Sequence, residues 1–135
     1  MPHQLINPDT VFNSRQYGFS QAVLASGSRQ LFLSGQVAVD AQEQTVAGDM
    51  KAQTLACLAN IERVLQAAQA HKEQVTMLRI YIKESASSAE EQLHITEALQ
   101  AYFGDHAPAS SWIVVTGLSL PEWLIEIEAQ AVIPA

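Results

Sequence analysis

Cys57 is the only cysteine in the chain, so no disulfide can close within it. A reducing cytoplasm is the expected home. Basic residues are scarce too: 7 Lys and Arg stand against 14 Asp and Glu, a formal net charge of −7. Such a balance repels phosphate backbones, which bind proteins through a basic footprint that releases counterions. Nucleic acid is therefore not an expected partner. No apolar run approaches the ~18 residues of a membrane-spanning helix. The start, Met1-Pro2-His3-Gln4, has no basic stretch leading into an apolar one, so neither a membrane nor a secretory leader is expected. The four histidines, His3, His71, His94 and His106, lack metal-ligand spacing, and no metal is expected.

What is present is apolar: 48% of the 135 residues are hydrophobic, enough to build a core. The length suits one domain of about 100–200 residues, here residues 1–135, with no repeat or linker to divide it. Residues 19–25 and 30–39 read as strands, and Gly27-Ser28 between them suggests a hairpin. A loop over 40–48 leads into a helix over 49–70, with Asp49 as N-cap. Leu55, Leu58, Ile61, Val64, Leu65 and Ala68 form its apolar face. Residues 75–83 alternate strictly, with Leu78, Ile80 and Ile82 on one face and Met77, Arg79, Tyr81 and Lys83 on the other. Ser87 with Glu90, or Ser88 with Glu91, makes a capping box for a second helix whose apolar face is mostly Leu93, Leu99, Tyr102 and Phe103 and which stops at Gly104. Residues 112–118 and 124–132 read as closing strands joined by a turn at Leu120-Pro121. The order ββαβαββ fits an α+β fold: one mostly antiparallel sheet with two helices on one face.

The last strand carries the chemistry. In Ile125-Glu126-Ile127-Glu128 the isoleucines face the helices, and alternation sets both carboxylates on the opposite face. That face also carries Met77, Tyr81 and Trp112 or its neighbours, a large apolar area for open water. Another subunit is expected to cover it.

Four segments in order resemble the reactive intermediate deaminase family (Rid, or YjgF-like). They are Phe19-Ser20-Gln21-Ala22-Val23, Leu33-Ser34-Gly35-Gln36-Val37, Pro108-Ala109-Ser110-Ser111 and the stretch from Leu118 through Pro121-Glu122-Trp123-Leu124-Ile125-Glu126-Ile127-Glu128-Ala129. The resemblance implies a chorismate-mutase-like fold, a homotrimer with a central barrel, and small-molecule clefts at the subunit interfaces. It also implies hydrolytic deamination of enamine or imine intermediates without a cofactor, in which an arginine clamps the substrate carboxylate. A last-strand glutamate, here Glu126, helps to position the attacking water.

The chain departs from that pattern. Ser110 stands in the arginine position, Phe19 replaces a tyrosine, Thr96 replaces a frequent asparagine, and the segment before Pro108 is shorter. A guanidinium grips a carboxylate through two charge-assisted bonds, whereas a serine offers one neutral donor. Losing the clamp in a partly dry cleft costs roughly 2–4 kcal/mol of binding. The reaction implied is then deamination of a substrate other than an ordinary 2-imino acid; the alternative is a trimer that binds or senses a small molecule without catalysis. By the resemblance, Glu126 is the catalytic residue, and Phe19, Ser34, Gly35, Gln36, Thr96, Ser110 and Trp112 line the ligand site. Structural readings stand beside these: an ion pair of Glu126 with Arg79, a structural Glu128, a bulge at Gly35, a turn cap at Ser110, and packing roles for Trp112 and Trp123. Arg15 is either a substitute clamp or a solvated surface charge.

Overall fold

The computed structural model describes residues 3–46 and 48–134, so part of the loop over 40–48 lies outside the described residues. The strands are β1 (Gln4–Ile6), β2 (Ala22–Leu24), β3 (Arg29–Gln36), β4 (Val75–Lys83), β5 (Ala109–Val115) and β6 (Ile125–Ile133). The helices are α1 (Met50–Ala67) and α2 (Ala89–Phe103). β3, β6, β4 and β5 form one sheet in that order, and β1 and β2 form a small separate one. The main sheet is mixed: β3–β6 and β6–β4 are antiparallel, and β4–β5 is parallel. Mixed pairing follows from the connection, because a helix between two strands returns the chain in its original direction.

β4 and β6 were the most legible elements. Burial alternates along all of β6 and along β4 from Leu78, after a register slip between Val75 and Met77, with Leu78, Ile80, Ile82, Ile125 and Ile127 almost wholly buried against the helices. Both helix starts are also as the sequence suggests. Asp49 accepts from the Ala52 N–H at 3.0 Å and Ser88 from the Glu91 N–H at 3.2 Å, each satisfying a backbone donor that the helix leaves free.

The expected hairpin between the second and third strands does not form. β2 pairs instead with β1, a strand the sequence reading did not include. Gly27, at φ 142°, sits so close to the Ile133 carbonyl that a Cβ would lie 2.7 Å from the oxygen, and Ser28 N–H donates to that same carbonyl at 3.2 Å. The turn is thus docked on the end of β6 rather than closing a tight hairpin.

β5 begins and ends three residues earlier than 112–118, because backbone pairing with central β4 draws in Ala109, Ser110 and Ser111 despite their weak strand propensity. β5 and β6 are not neighbours; β4 lies between them. On α1 the buried stripe is Met50, Gln53, Thr54, Cys57, Leu58, Ile61 and Leu65, while Leu55 and Val64 face outward. Gln53 earns its buried place through two bonds to the β6 approach: it donates to Glu122 O and accepts from Leu124 N–H, both at 2.9 Å. On α2 the core residues are Ile95, Ala98, Leu99 and Phe103, whereas Leu93 is 56% exposed.

Candidate functional site

Glu126 lies on the sheet face away from the helices, against a bulge. The β3–β6 register slips between Leu33 and Gln36, and the irregularity carries Gly35 over the Glu126 side chain. A Cβ on Gly35 would fall 2.7 Å from the Glu126 carboxyl carbon, so only glycine leaves the carboxyl this place. Burial raises the Glu126 pKa, and the charge of Glu128 raises it further. Ser34 is exposed and its carbonyl accepts from the Gln36 amide at 3.1 Å, while Gln36 packs toward α1. Ser34, Gly35 and Glu126 therefore gather on one side of the sheet.

The neighbours of Glu126 are fixed by register. Tyr81 stands opposite Glu126, and Arg79 stands opposite Glu128. The Tyr81 hydroxyl reaches diagonally to donate to Glu128. The alternative ion pair between Arg79 and Glu126 does not form among the described residues.

Trp112 is not on this face. Its partner in β4 is Ile80, so it turns toward the helices; the flanking Ser111 and Ile113 are the residues that share the face of Glu126. There Trp112 packs on Phe19 with ring centroids 6.2 Å apart. Together with Thr96, Tyr17, Leu93, Gln92 and Ala89 these rings line a hollow of about 440 Å³ with no charged side chain in its wall. Its size and apolar lining suit a small organic ligand.

Ser110, also on the helix side, accepts a hydrogen bond from the Trp112 indole N–H at 3.0 Å. Neither a ligand role nor a turn cap is its observed contact. Within one chain Arg15 is exposed in a different hollow, with Asn13, Gln100 and Asp105, and is not among the residues that line the hollow at Trp112. The Trp123 indole donates to the Thr45 hydroxyl at 3.1 Å and so pins the loop after β3.

In one chain the predicted site residues, Gln36 apart, fall into two groups. Phe19, Thr96 and Trp112 line the helix-side hollow, with Ser110 bonded to Trp112 beside it; Ser34, Gly35 and Glu126 lie on the opposite face, and Gln36 stands apart from both, against α1. Sequence reasoning missed Tyr17, Ala89, Gln92 and Leu93. A signal was there: with Thr96, the three α2 residues repeat at i, i+3, i+4 and i+7, the spacing of one helix face. Spacing alone reads Leu93 only as part of the apolar face of α2.

An α+β domain of two helices on a four-stranded mixed sheet, with a last-strand glutamate lodged against a bulge glycine, defines the structural class. A crystal structure from Yersinia pestis, described as a protein of unknown function of the conserved Rid protein family, shares this fold. It is 40% identical with a TM-score of 0.91, and the match covers 98% of this chain and 100% of that one. The YjgF gene product of E. coli matches with a TM-score of 0.68 and 26% identity, over 84% of this chain and 87% of the other. A RutC family protein of Pyrococcus horikoshii is 35% identical over 114 residues, 84% of this chain and 85% of that protein. The chain belongs to the YjgF/Rid family, whose sequence profile, described as endoribonuclease L-PSP, matches residues 14–133.

Proposed function

We propose that this protein hydrolyses the C=N bond of a neutral enamine or imine, in clefts between the subunits of a homotrimer and without metal or organic cofactor. The observation that carries this reading is the uncharged aromatic wall of the hollow at Phe19 and Trp112, next to a Ser110 hydroxyl already engaged by the indole. A carboxylate entering such a wall would lose its hydration without gaining a cation, whereas a neutral substrate would not suffer that loss.

Glu126 supplies the proton chemistry. Its raised pKa keeps a proton available nearer to neutral pH than an ordinary carboxyl does. Water adds to the imine carbon as the C=N π electrons take a proton from the Glu126 carboxyl at nitrogen, and the added water returns one of its protons to the carboxylate. The resulting carbinolamine takes that proton at its amine nitrogen, the C–N bond breaks as ammonia leaves with the bonding pair, and the hydroxyl proton passes to the carboxylate, leaving a carbonyl product. An enamine enters the same sequence after protonation at carbon.

Assembly is what would unite the two halves of the site, because in a single chain the sheet separates Glu126 from the hollow. The open face favours such an assembly, since Phe32 is 66% exposed and Ile113 is also exposed.

The test generates imines in situ, using an amine oxidase for neutral substrates and an amino-acid oxidase for carboxylated ones, and follows ammonia release. Acceleration on neutral imines with little on carboxylated ones is expected. No acceleration over buffer on either would end the reading. The separation of Glu126 from the hollow favours a second reading, a binding or sensing trimer without turnover. A saturable ligand in calorimetry together with no hydrolysis would establish it. Cleavage of RNA is not favoured, because the net charge of −7 gives a phosphate backbone no basic footprint.

A further inference from the structure

We infer that Tyr81 is a positioning residue: its hydroxyl anchors Glu128 to β4 and so leaves Glu126, lodged at Gly35, as the carboxyl of the pair that exchanges a proton with a bound substrate. The inference rests on the hydrolytic reading for its chemistry, though not for its geometry.

Glu126 and Glu128 are two residues apart on one strand and project from the same face. Two such carboxyls have no intrinsic reason to titrate differently, and close acids titrate as a pair unless their surroundings distinguish them. Here the surroundings are unequal. Glu128 accepts a hydrogen bond from Tyr81 and has Arg79 across the ladder. The bond leaves its mark on the donor as well, since the Tyr81 phenol is held above its ordinary range chiefly by the hydrogen bond to Glu128.

Glu126 has neither partner. Directly opposite it is Tyr81, whose hydroxyl is directed to the other acid. On the β3 side it meets Gly35, which has no titratable group. Beyond β4, strand β5 contributes Ser111 and Ile113 to this face. From α1, on the far side of the sheet, the Cys57 thiol donates to Ile125 O at 3.7 Å. Burial and the neighbouring Glu128 charge consequently both act to keep Glu126 protonated. A pair divided in this way assigns the mobile proton to one member.

The assignment is checked without relying on turnover, by carboxyl carbon NMR titration of the wild type, Tyr81→Phe and Glu128→Gln, with the Glu126 signal identified from its loss in Glu126→Gln. Tyr81→Phe keeps the ring and its packing, so the fold, monitored by circular dichroism, is expected to survive even where a charge-removing variant does not. In Tyr81→Phe the Glu126 midpoint moves down. In Glu128→Gln the Glu126 midpoint also moves down. A Glu126 midpoint unchanged in both variants overturns the inference, even for a protein that hydrolyses imines. Shifted midpoints in a protein without hydrolysis uphold the electrostatic division and remove the catalytic reading alone.

Discussion

Gly35 and Glu126 occupy one another's space: a methyl group on the glycine would fall 2.7 Å from the carboxyl carbon of the acid. The overlapped atoms are the far end of a flexible side chain, not backbone. Gly35→Ala is therefore expected to swing Glu126 aside rather than unfold the sheet, at the low end of the ~1–3 kcal/mol that overpacking costs. Hydrolysis should fall nearly as far as in Glu126→Gln, about 10²–10⁴-fold for loss of a positioned acid–base group. Rates on a neutral imine, measured beside a urea melt of each variant, check both statements. A variant with lost stability but retained activity would contradict them.

The raised pKa of Glu126 also sets a pH dependence of stability. Because the folded chain holds this proton more tightly than the unfolded chain, the stabilisation it gives is complete below the ordinary glutamate range. It is lost as pH rises through the raised native value. Above that value the folded state bears a partly desolvated charge beside Glu128. Glu126→Gln is therefore expected to melt at a higher temperature than wild type at pH 8, with the gap closing toward pH 4. Thermal melts at the two pH values decide it, and a gap that widens in acid would reverse the sign.

The two halves of this site were unequally legible. Alternation placed Glu126 on its face, and the resemblance of the Leu33-Ser34-Gly35-Gln36-Val37 segment to the Rid family pointed to Gly35 beside it. Trp112 was harder to orient, because its direction depends on where β5 begins. Placing the strand at 112 rather than at Ala109 left the face of the tryptophan open, and the pairing of Trp112 with Ile80 decides it. β1 was invisible for a related reason: three residues pair with β2 across a long loop, and no periodicity can be read in so short a segment. Leu93 illustrates the limit of helical spacing. An amphipathic pattern identifies the apolar residues of α2 but does not distinguish those that meet the core from those that line a hollow.

Cys57 is buried in α1, where burial first and the Glu126 charge second push its thiol up to about 12. At pH 8 the folded protein should hold roughly a thousandfold less thiolate than free cysteine does. Alkylation is then expected to proceed only through transient opening, at a rate that rises with urea in parallel with unfolding. Mass spectrometry of timed iodoacetamide reactions checks this. Rapid modification of folded protein would mean that the thiol lies open to solvent.

Ser110→Arg tests the substrate class directly. The hydroxyl now accepts from the Trp112 indole at 3.0 Å, at the edge of a hollow without a charged wall. An arginine there would offer a paired donor to a substrate carboxylate, worth roughly 2–4 kcal/mol when the contact is shielded from water. At about 1.4 kcal/mol per tenfold, kcat/KM for a carboxylated imine should rise some 30- to 1,000-fold. The same substitution removes the indole's acceptor and brings an unpaired cation to an apolar wall whenever no anion is bound. Activity on neutral imines should fall, and the variant should unfold more easily until a carboxylated ligand is added. Parallel kinetics on the two substrate types, with melts in the presence and absence of a stable 2-keto acid, separate the outcomes. Unchanged preference would show that position 110 does not face the reacting substrate, and the neutral-substrate reading would lose its basis.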